Sequence, residues 1–314
     1  MKSENSLQRD QRVRYAAAVL LDRPIDGFVW PEWLAYGAPG DGHRGIKIVP
    51  SGFFSQDYGL ERSVPRLPLR SFQGVPLLFG EPRVERHGSE LVVGADLVAG
   101  AYFLLTRYEE WVSKAVRDQH GRFPGKESLP FRGGFLEQPV VDEYSGLLKE
   151  WCAELGVNET WPDRRFSVLL SHDIDTLGRE LGPVSALRAL GSGLCFRINL
   201  RAALAHAGYA CGLARHPYNN IGEVHQMDRS LIDRLGPERC RVAYFFMVGG
   251  EGEYDRTYKI QDPLARRALA AVKENGADIG LHASYAAGQE PRLIARERAL
   301  LEKTAGIPIT KNRH

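Results

Sequence analysis

The segment Arg165-Phe166-Ser167-Val168-Leu169-Leu170-Ser171-His172-Asp173-Ile174-Asp175 constrains this chain more than any other: it is an apolar strand ending in two aspartates. Side chains alternate faces along a strand, so Ser171, Asp173 and Asp175 share one face, and His172 and Ile174 the other. Two carboxylates on one face repel unless a positive group sits between or beside them. The C-terminal ends of strands are also where α/β folds place their chemistry. A divalent metal accounts for the pattern, with one Asp as ligand and the other free as a base. The plainer alternative is a strand-to-loop turn in which an Asp caps the next helix.

Two further segments favour the metal. Ala277-Asp278-Ile279-Gly280-Leu281-His282-Ala283-Ser284-Tyr285 is again a short apolar strand ending in a metal-competent side chain. Between them, Arg241-Val242-Ala243-Tyr244-Phe245-Phe246-Met247-Val248-Gly249-Gly250 has the composition of a buried strand and ends in glycines. Three such strands separated by helical stretches read as successive β/α units of a parallel sheet or barrel.

In this order, S-H-D-I-D, Y-F-F-M-V-G and I-G-L-H-A-S-Y resemble the polysaccharide deacetylase superfamily, the NodB-type carbohydrate esterases. The resemblance implies an α/β fold containing a distorted β/α barrel. By position it implies Asp173 as catalytic base, Asp175 as metal-binding carboxylate and His282 as a second ligand. Three stretches of the N-terminal half, Pro76-Leu77-Leu78-Phe79-Gly80, Leu104-Leu105-Thr106-Arg107-Tyr108-Glu109-Glu110 and Gly121-Arg122-Phe123-Pro124, resemble the uncharacterised domain preceding this catalytic domain in some bacterial members. Together these motifs are moderately specific, and singly they are weak.

Two positions depart from the family pattern. Its second motif has another His one helical turn after the first, and here that place is Ala286. Pro308-Ile309-Thr310-Lys311-Asn312-Arg313-His314 looks like the start of the next strand-end motif, an arginine-containing wall of the site. His314 is a candidate replacement for the ligand missing at Ala286. The stretch from Phe166 to His314 is much shorter than the about 250 residues of a closed barrel, so a truncated, incomplete barrel is expected. The expected domains are 1–160, an α+β unit of unknown function, and 165–314, the partial deacetylase-like barrel.

Composition adds exclusions. Residues are 43% hydrophobic and 25% charged, as in ordinary folded domains, and the net charge of +2 implies no nucleic-acid partner. Cys152, Cys195, Cys211 and Cys240 lack any C-x-x-C spacing and read as reduced thiols. The apolar run 15–21 is too short to span a membrane and meets Asp22, so no signal peptide or membrane span is read and a cytoplasmic protein is expected.

Along the N-terminal half, 14–21 is a strand or a short helix, and 24–74 is loop-dominated with short strands. Leu91-Val92-Val93-Gly94 reads as a strand, after which Asp96 caps a helix over 97–116 with the apolar stripe Leu104, Tyr108, Trp111 and Ala115. Arg107, Glu109 and Glu110 then read as a charged outer face. A helix over 142–155 leads to a linker marked by Pro162. Residues 182–213 read as an Ala- and Leu-rich helical insertion. His216 and His225 read as a turn and a solvent-facing helix, and His172 as packing behind its strand.

The resemblance therefore implies a metal-dependent hydrolase that removes N-acetyl groups from a glycan. Zinc is expected, because the O/N ligand set suits it. Ser284 and Tyr285 are candidate hydrogen-bond donors to ligand or metal water, with an equally good structural role at a helix start. Two alternatives stay open: a non-catalytic carbohydrate-binding relative, and an inactive gene fragment whose open barrel edge promotes self-association.

Overall fold

A computed structural model describes residues 10–37, 44–55, 57–177, 219–248, 258–288 and 290–313, with the single positions 6, 208 and 255. The stretch 182–213 lies almost wholly outside the described residues, as do Cys195, Cys211, His216 and His314. The chain is mixed α/β and divides into two compact units, Met1–Asp163 and Arg164–His314.

The first unit opens with α1 (Gln11–Leu20), which settles the ambiguous run as a helix: Asp10 caps it by accepting the Arg12 N–H at 2.9 Å, and Val13, Ala16, Ala17 and Leu20 form its buried stripe. Short strands follow: β1 (Leu34–Tyr36), β2 (Gly45–Ile48), β3 (Arg70–Phe72), β4 (Val75–Leu77), β5 (Gly80–His87) and β6 (Glu90–Ala95). The main sheet has the order β1-β2-β6-β5, antiparallel only between β5 and β6, and β3 pairs with β4 apart from it. The turn after β6 carries Asp96, a fully buried carboxylate. Its Oδ1 accepts the Ala99 N–H at 3.0 Å, capping α2 (Leu97–Leu105). Its Oδ2 accepts the Ser51 N–H and Oγ–H, each at 2.7 Å, and the Tyr36 hydroxyl at 3.1 Å. Burial raises the Asp96 pKa, and these hydrogen bonds oppose the rise.

The expected helix over 97–116 is two helices. Arg107 takes a left-handed backbone, φ 53° and ψ 40°, which separates α2 from α3 (Tyr108–Val112). The turn carries Tyr108 and Glu109 inward, so the expected charged outer face is corrected at Glu109, which is 7% exposed. Glu109 accepts the Leu129 N–H at 2.6 Å at the start of α4 (Leu129–Arg132) and pairs with Arg132 at 2.9 Å. The Tyr108 hydroxyl accepts the Gly59 N–H at 2.6 Å and hydrogen-bonds the Ser63 hydroxyl at 2.7 Å. Around Phe53 the rings of Phe79, Tyr108, Phe54, Tyr58 and Tyr102 lie 4.6 to 6.2 Å away, an aromatic core under the loops. The last helix, α5 (Val140–Glu154), buries Tyr144, Leu148 and Trp151. After it, Glu159 takes the Trp33 indole N–H at 2.7 Å and the Arg23 guanidinium at 2.5 Å.

The second unit is a parallel sheet of β7 (Val168–Ile174), β8 (Cys240–Met247), β9 (Asp278–His282) and β10 (Asn312–Arg313), in the order β10-β9-β8-β7. Parallel strands need crossovers, supplied among the described residues by α6 (Ile221–Leu235), α7 (Pro263–Glu274) and α8 (Pro291–Ala305). The face bearing Val242, Tyr244, Phe246, Ile279 and Leu281 is buried in one cluster with Ala265, Leu269, Val272 and Leu301 of α7 and α8. The other face carries Leu169, Ser171 and Asp173, all exposed. On it the Phe245 ring lies over Gly280, where a Cβ would come within 2.5 Å of the ring; β9 needs glycine there. Strands 4.7–4.9 Å apart would put β7 and β10 about 14 Å from each other in a flat sheet. Yet Arg313 of β10 donates to the Ser171 hydroxyl of β7 at 2.6 Å. The sheet is therefore curled, with Ser171, Asp173, His282 and Arg313 on its concave face.

Candidate metal centre

Strand register brings the site together. Asp173 is level with Phe245 and Gly280, while His282 is level with Met247 and with Arg313 of β10, two residues further along, so Asp173 sits one step below His282 and Arg313 near the C-terminal strand ends. His282 Nε2 lies 3.2 Å from Asp175 Oδ1. Arg313 Nε lies 3.3 Å from Asp173 Oδ2. Each carboxylate thus has its own cationic or donor partner, which lowers the repulsion the sequence poses. Their exposures differ: the Asp173 side chain is 27% exposed and that of Asp175 58%.

The donor set at Asp175 and His282 fits a divalent ion in part. Two ligand atoms bound at about 2.0–2.2 Å in a tetrahedral arrangement lie somewhat over 3 Å apart, close to the separation observed. The second ring nitrogen, Nδ1, is buried without a hydrogen-bond partner among the described residues, so the ring's polar contact is made by Nε2. Among the described residues no cluster of three or more His, Cys, Asp or Glu side chains could hold a metal. Ala286, in the short turn of helix at Tyr285–Gly288, supplies no donor, and His314 is not among the described residues.

The remaining candidates have structural partners. Ser284 is buried, and both its N–H and its hydroxyl donate to Glu297 of α8. The Tyr285 N–H donates to Asp255 at 2.7 Å. Both contacts fix the turn after β9, the structural role the sequence left open for them.

Behind β7, His172 Nε2 meets both oxygens of Asp228, at 2.9 and 3.1 Å, and the Tyr244 hydroxyl donates to the same carboxylate at 2.8 Å. Burial and the Asp228 charge raise the Tyr244 pKa. His172 thus packs on the helix side of the sheet, away from Asp173. His225 also faces inward from α6 and is 8% exposed, which corrects the solvent-facing reading. The stripe Ile221, His225, Asp228 and Ile232 recurs at helical spacing, and polar residues within it hid its buried side from a hydrophobicity pattern.

Arg313 was legible only as part of a wall segment; the signal that could have singled it out was its place in the strand-end register beside His282. Asp228 carried a weaker signal, an acidic residue within a buried helical stripe. Tyr258, whose hydroxyl bonds the ends of both β7 and β8, lies in irregular chain and carried none.

Residues 31–156, within the first unit, match a family of unknown function, DUF7033. No curated protein and no solved structure matches the chain. Among the described residues no helix is long and apolar enough to cross a membrane.

Proposed function

We propose that the second unit is the catalytic part of a metal-dependent carbohydrate N-deacetylase, similar to the NodB-type polysaccharide deacetylases. One observation carries the reading: the two strand-end carboxylates are divided between two partners, Asp175 with the imidazole of His282 and Asp173 with the guanidinium of Arg313. Asp175 and His282 would hold the ion, and zinc suits their oxygen and nitrogen donors. Such an ion, when bound, polarises an amide carbonyl and acidifies a water.

Asp173 is the base. Its carboxylate, paired with Arg313, takes the proton of the attacking water. The bond formed joins the water oxygen to the acetamide carbon; the bond broken is the amide C–N, with the proton passing to the leaving amine. Acetate and a glycan amine result. Arg313 also bonds Ser171, and this second anchor restricts its guanidinium to the Asp173 side of the cleft.

A second reading, a non-catalytic carbohydrate-binding relative, is favoured by the absence among the described residues of a third donor beside Asp175 and His282. Acetate release from an N-acetylglucosamine oligomer separates the two. The catalytic reading expects release that requires zinc and stops on chelation; oligomer binding without any release would establish the binding protein.

A further inference from the structure

His225 is an orphan inside the second unit. Its ring is 8% exposed on α6, and neither Nδ1 nor Nε2 has a hydrogen-bond partner among the described residues. A neutral imidazole carries one donor and one acceptor, and leaving both buried and unpaired costs free energy that the rest of the fold must offset. The ring lines a cavity of about 660 Å³, within the range of about 300–1,000 Å³ common for small-molecule sites. Rotation of a histidine ring about Cβ–Cγ is soft, so a turn there presents a nitrogen to whatever fills that space.

The cavity has both length and charge. His225 in the second turn of α6 and Gly236 just past its end both line it, a separation of about 16 Å along the helix axis. Beyond Gly236 it reaches the starts of β8 and β9 at Arg241 and Asp278, at the other ends of these strands from His282. Its acids are already matched: Asp233 pairs with Arg229 at 3.5 Å and Asp278 with Lys311 at 2.6 Å. Arg241 is exposed and has no hydrogen-bond or ionic partner among the described residues. That leaves one free guanidinium, a planar donor fork suited to carboxylate or phosphate oxygens. Ile232, Pro237, Val242 and Ala277 add apolar wall.

A ligand spanning this site needs an anion at one end and, at the other, a group that both donates and accepts, as a hydroxyl does. One sugar ring is shorter than the separation, and two linked rings approach it. We propose that the cavity at the foot of the second unit binds an anionic disaccharide, with its phosphate or carboxylate on Arg241 and ring hydroxyls on His225. The inference goes beyond the metal reading above and uses none of its residues.

The test is calorimetric titration of the full chain with trehalose 6-phosphate and with lactobionate, which carry the anion as phosphate and as carboxylate, beside neutral trehalose and inorganic phosphate. Saturable binding of at least one anionic disaccharide is expected, tighter than either control, and the tighter of the two identifies the anion. Arg241→Gln should weaken that binding about 10–100-fold, as loss of hydrogen bonds to a charged group does, and His225→Leu about 5-fold. Because the imidazole has no hydrogen bond among the described residues, His225→Leu should not lower the thermal midpoint in ligand-free buffer. Binding of neither anionic disaccharide, or binding unchanged in Arg241→Gln, would overturn the site. Binding no tighter than that of inorganic phosphate would overturn the sugar. A midpoint lowered by several degrees in His225→Leu would overturn the assignment of His225 to the ligand and give it to the fold. Should His225→Leu not fold, Arg241→Gln, at an exposed position, decides the proposal.

Discussion

Asp96 and Asp175 are both aspartates just past the end of a strand, and the two units use them in opposite ways. Asp96 is fully buried and receives hydrogen bonds from Ala99, Ser51 and Tyr36, so its oxygens are saturated by the protein. The Asp175 side chain is 58% exposed, and among the described residues its ionic contact is with His282. A carboxylate saturated by fixed donors can stabilise a turn but has no lone pair left for an ion; one left open can coordinate but does little for the fold. The same contrast holds for Glu109 and Glu159 in the first unit against Asp173 in the second. Polar groups inside the first unit anchor its loops, whereas Asp173 and Asp175 of the second are each shown with a single ionic partner among the described residues.

The largest expected effect tests the available side of this contrast. Asp173→Asn should lower the rate of acetate release about 10²–10⁴-fold, the usual loss for a general base, with zinc affinity and thermal midpoint nearly unchanged. A large loss of stability instead would place Asp173 with the structural carboxylates. Next, Asp96→Ala should cost about 3 kcal/mol or more in denaturant unfolding, since it removes a cap and takes away the acceptor of the buried Ala99 amide and Tyr36 hydroxyl. A change under about 0.5 kcal/mol would mean that its hydrogen bonds are not what holds the first unit.

Smaller effects sharpen the comparison. Gly280→Val places a side chain where the Phe245 ring lies and should destabilise by about 1–3 kcal/mol, lowering the midpoint of thermal unfolding. An unchanged midpoint would show that the concave face is loosely packed. Glu159→Gln should cost about 1–2 kcal/mol near neutral pH. Burial by itself would raise the Glu159 pKa, but the Trp33 and Arg23 hydrogen bonds outweigh it and the pKa is lowered. The folded-state pKa lies below the ordinary 4.5, so this stabilisation is complete above that value and fades as pH falls through the lowered pKa. Denaturation curves from neutral to acid pH should therefore converge for wild type and Glu159→Gln; a gap that persists in acid would contradict the assignment.

The parts of the fold written in local patterns were legible in the sequence. Strand alternation put Ser171, Asp173 and Asp175 on one face, and short apolar runs marked β7, β8 and β9 with His282 at the end of its strand. What was not legible depends on partners distant in sequence or on backbone turns without a marker residue. The apolar spacing of 97–116 continues through Arg107, so nothing in the pattern marks the left-handed turn that a non-glycine residue makes there. Glu109 looked like surface charge because its partners, the Leu129 amide and Arg132, arrive only with α4. Tyr258 and Asp228 join the β7 neighbourhood from irregular chain and from a helix face of mixed polarity.

The contact from Arg313 to Ser171 spans 142 residues of sequence, and this separation matters when the protein is made. At about 5–20 residues per second of synthesis, Asp173 and Asp175 leave the ribosome on the order of ten seconds before Arg313. Until His282 and then Arg313 emerge, the end of β7 carries two carboxylates without the partners they have in the finished fold, while the whole of the first unit has already been made. The charge assigned to chemistry in the proposed site would first serve as a brake, disfavouring premature pairing of an exposed apolar strand with other nascent chains until its own partners arrive.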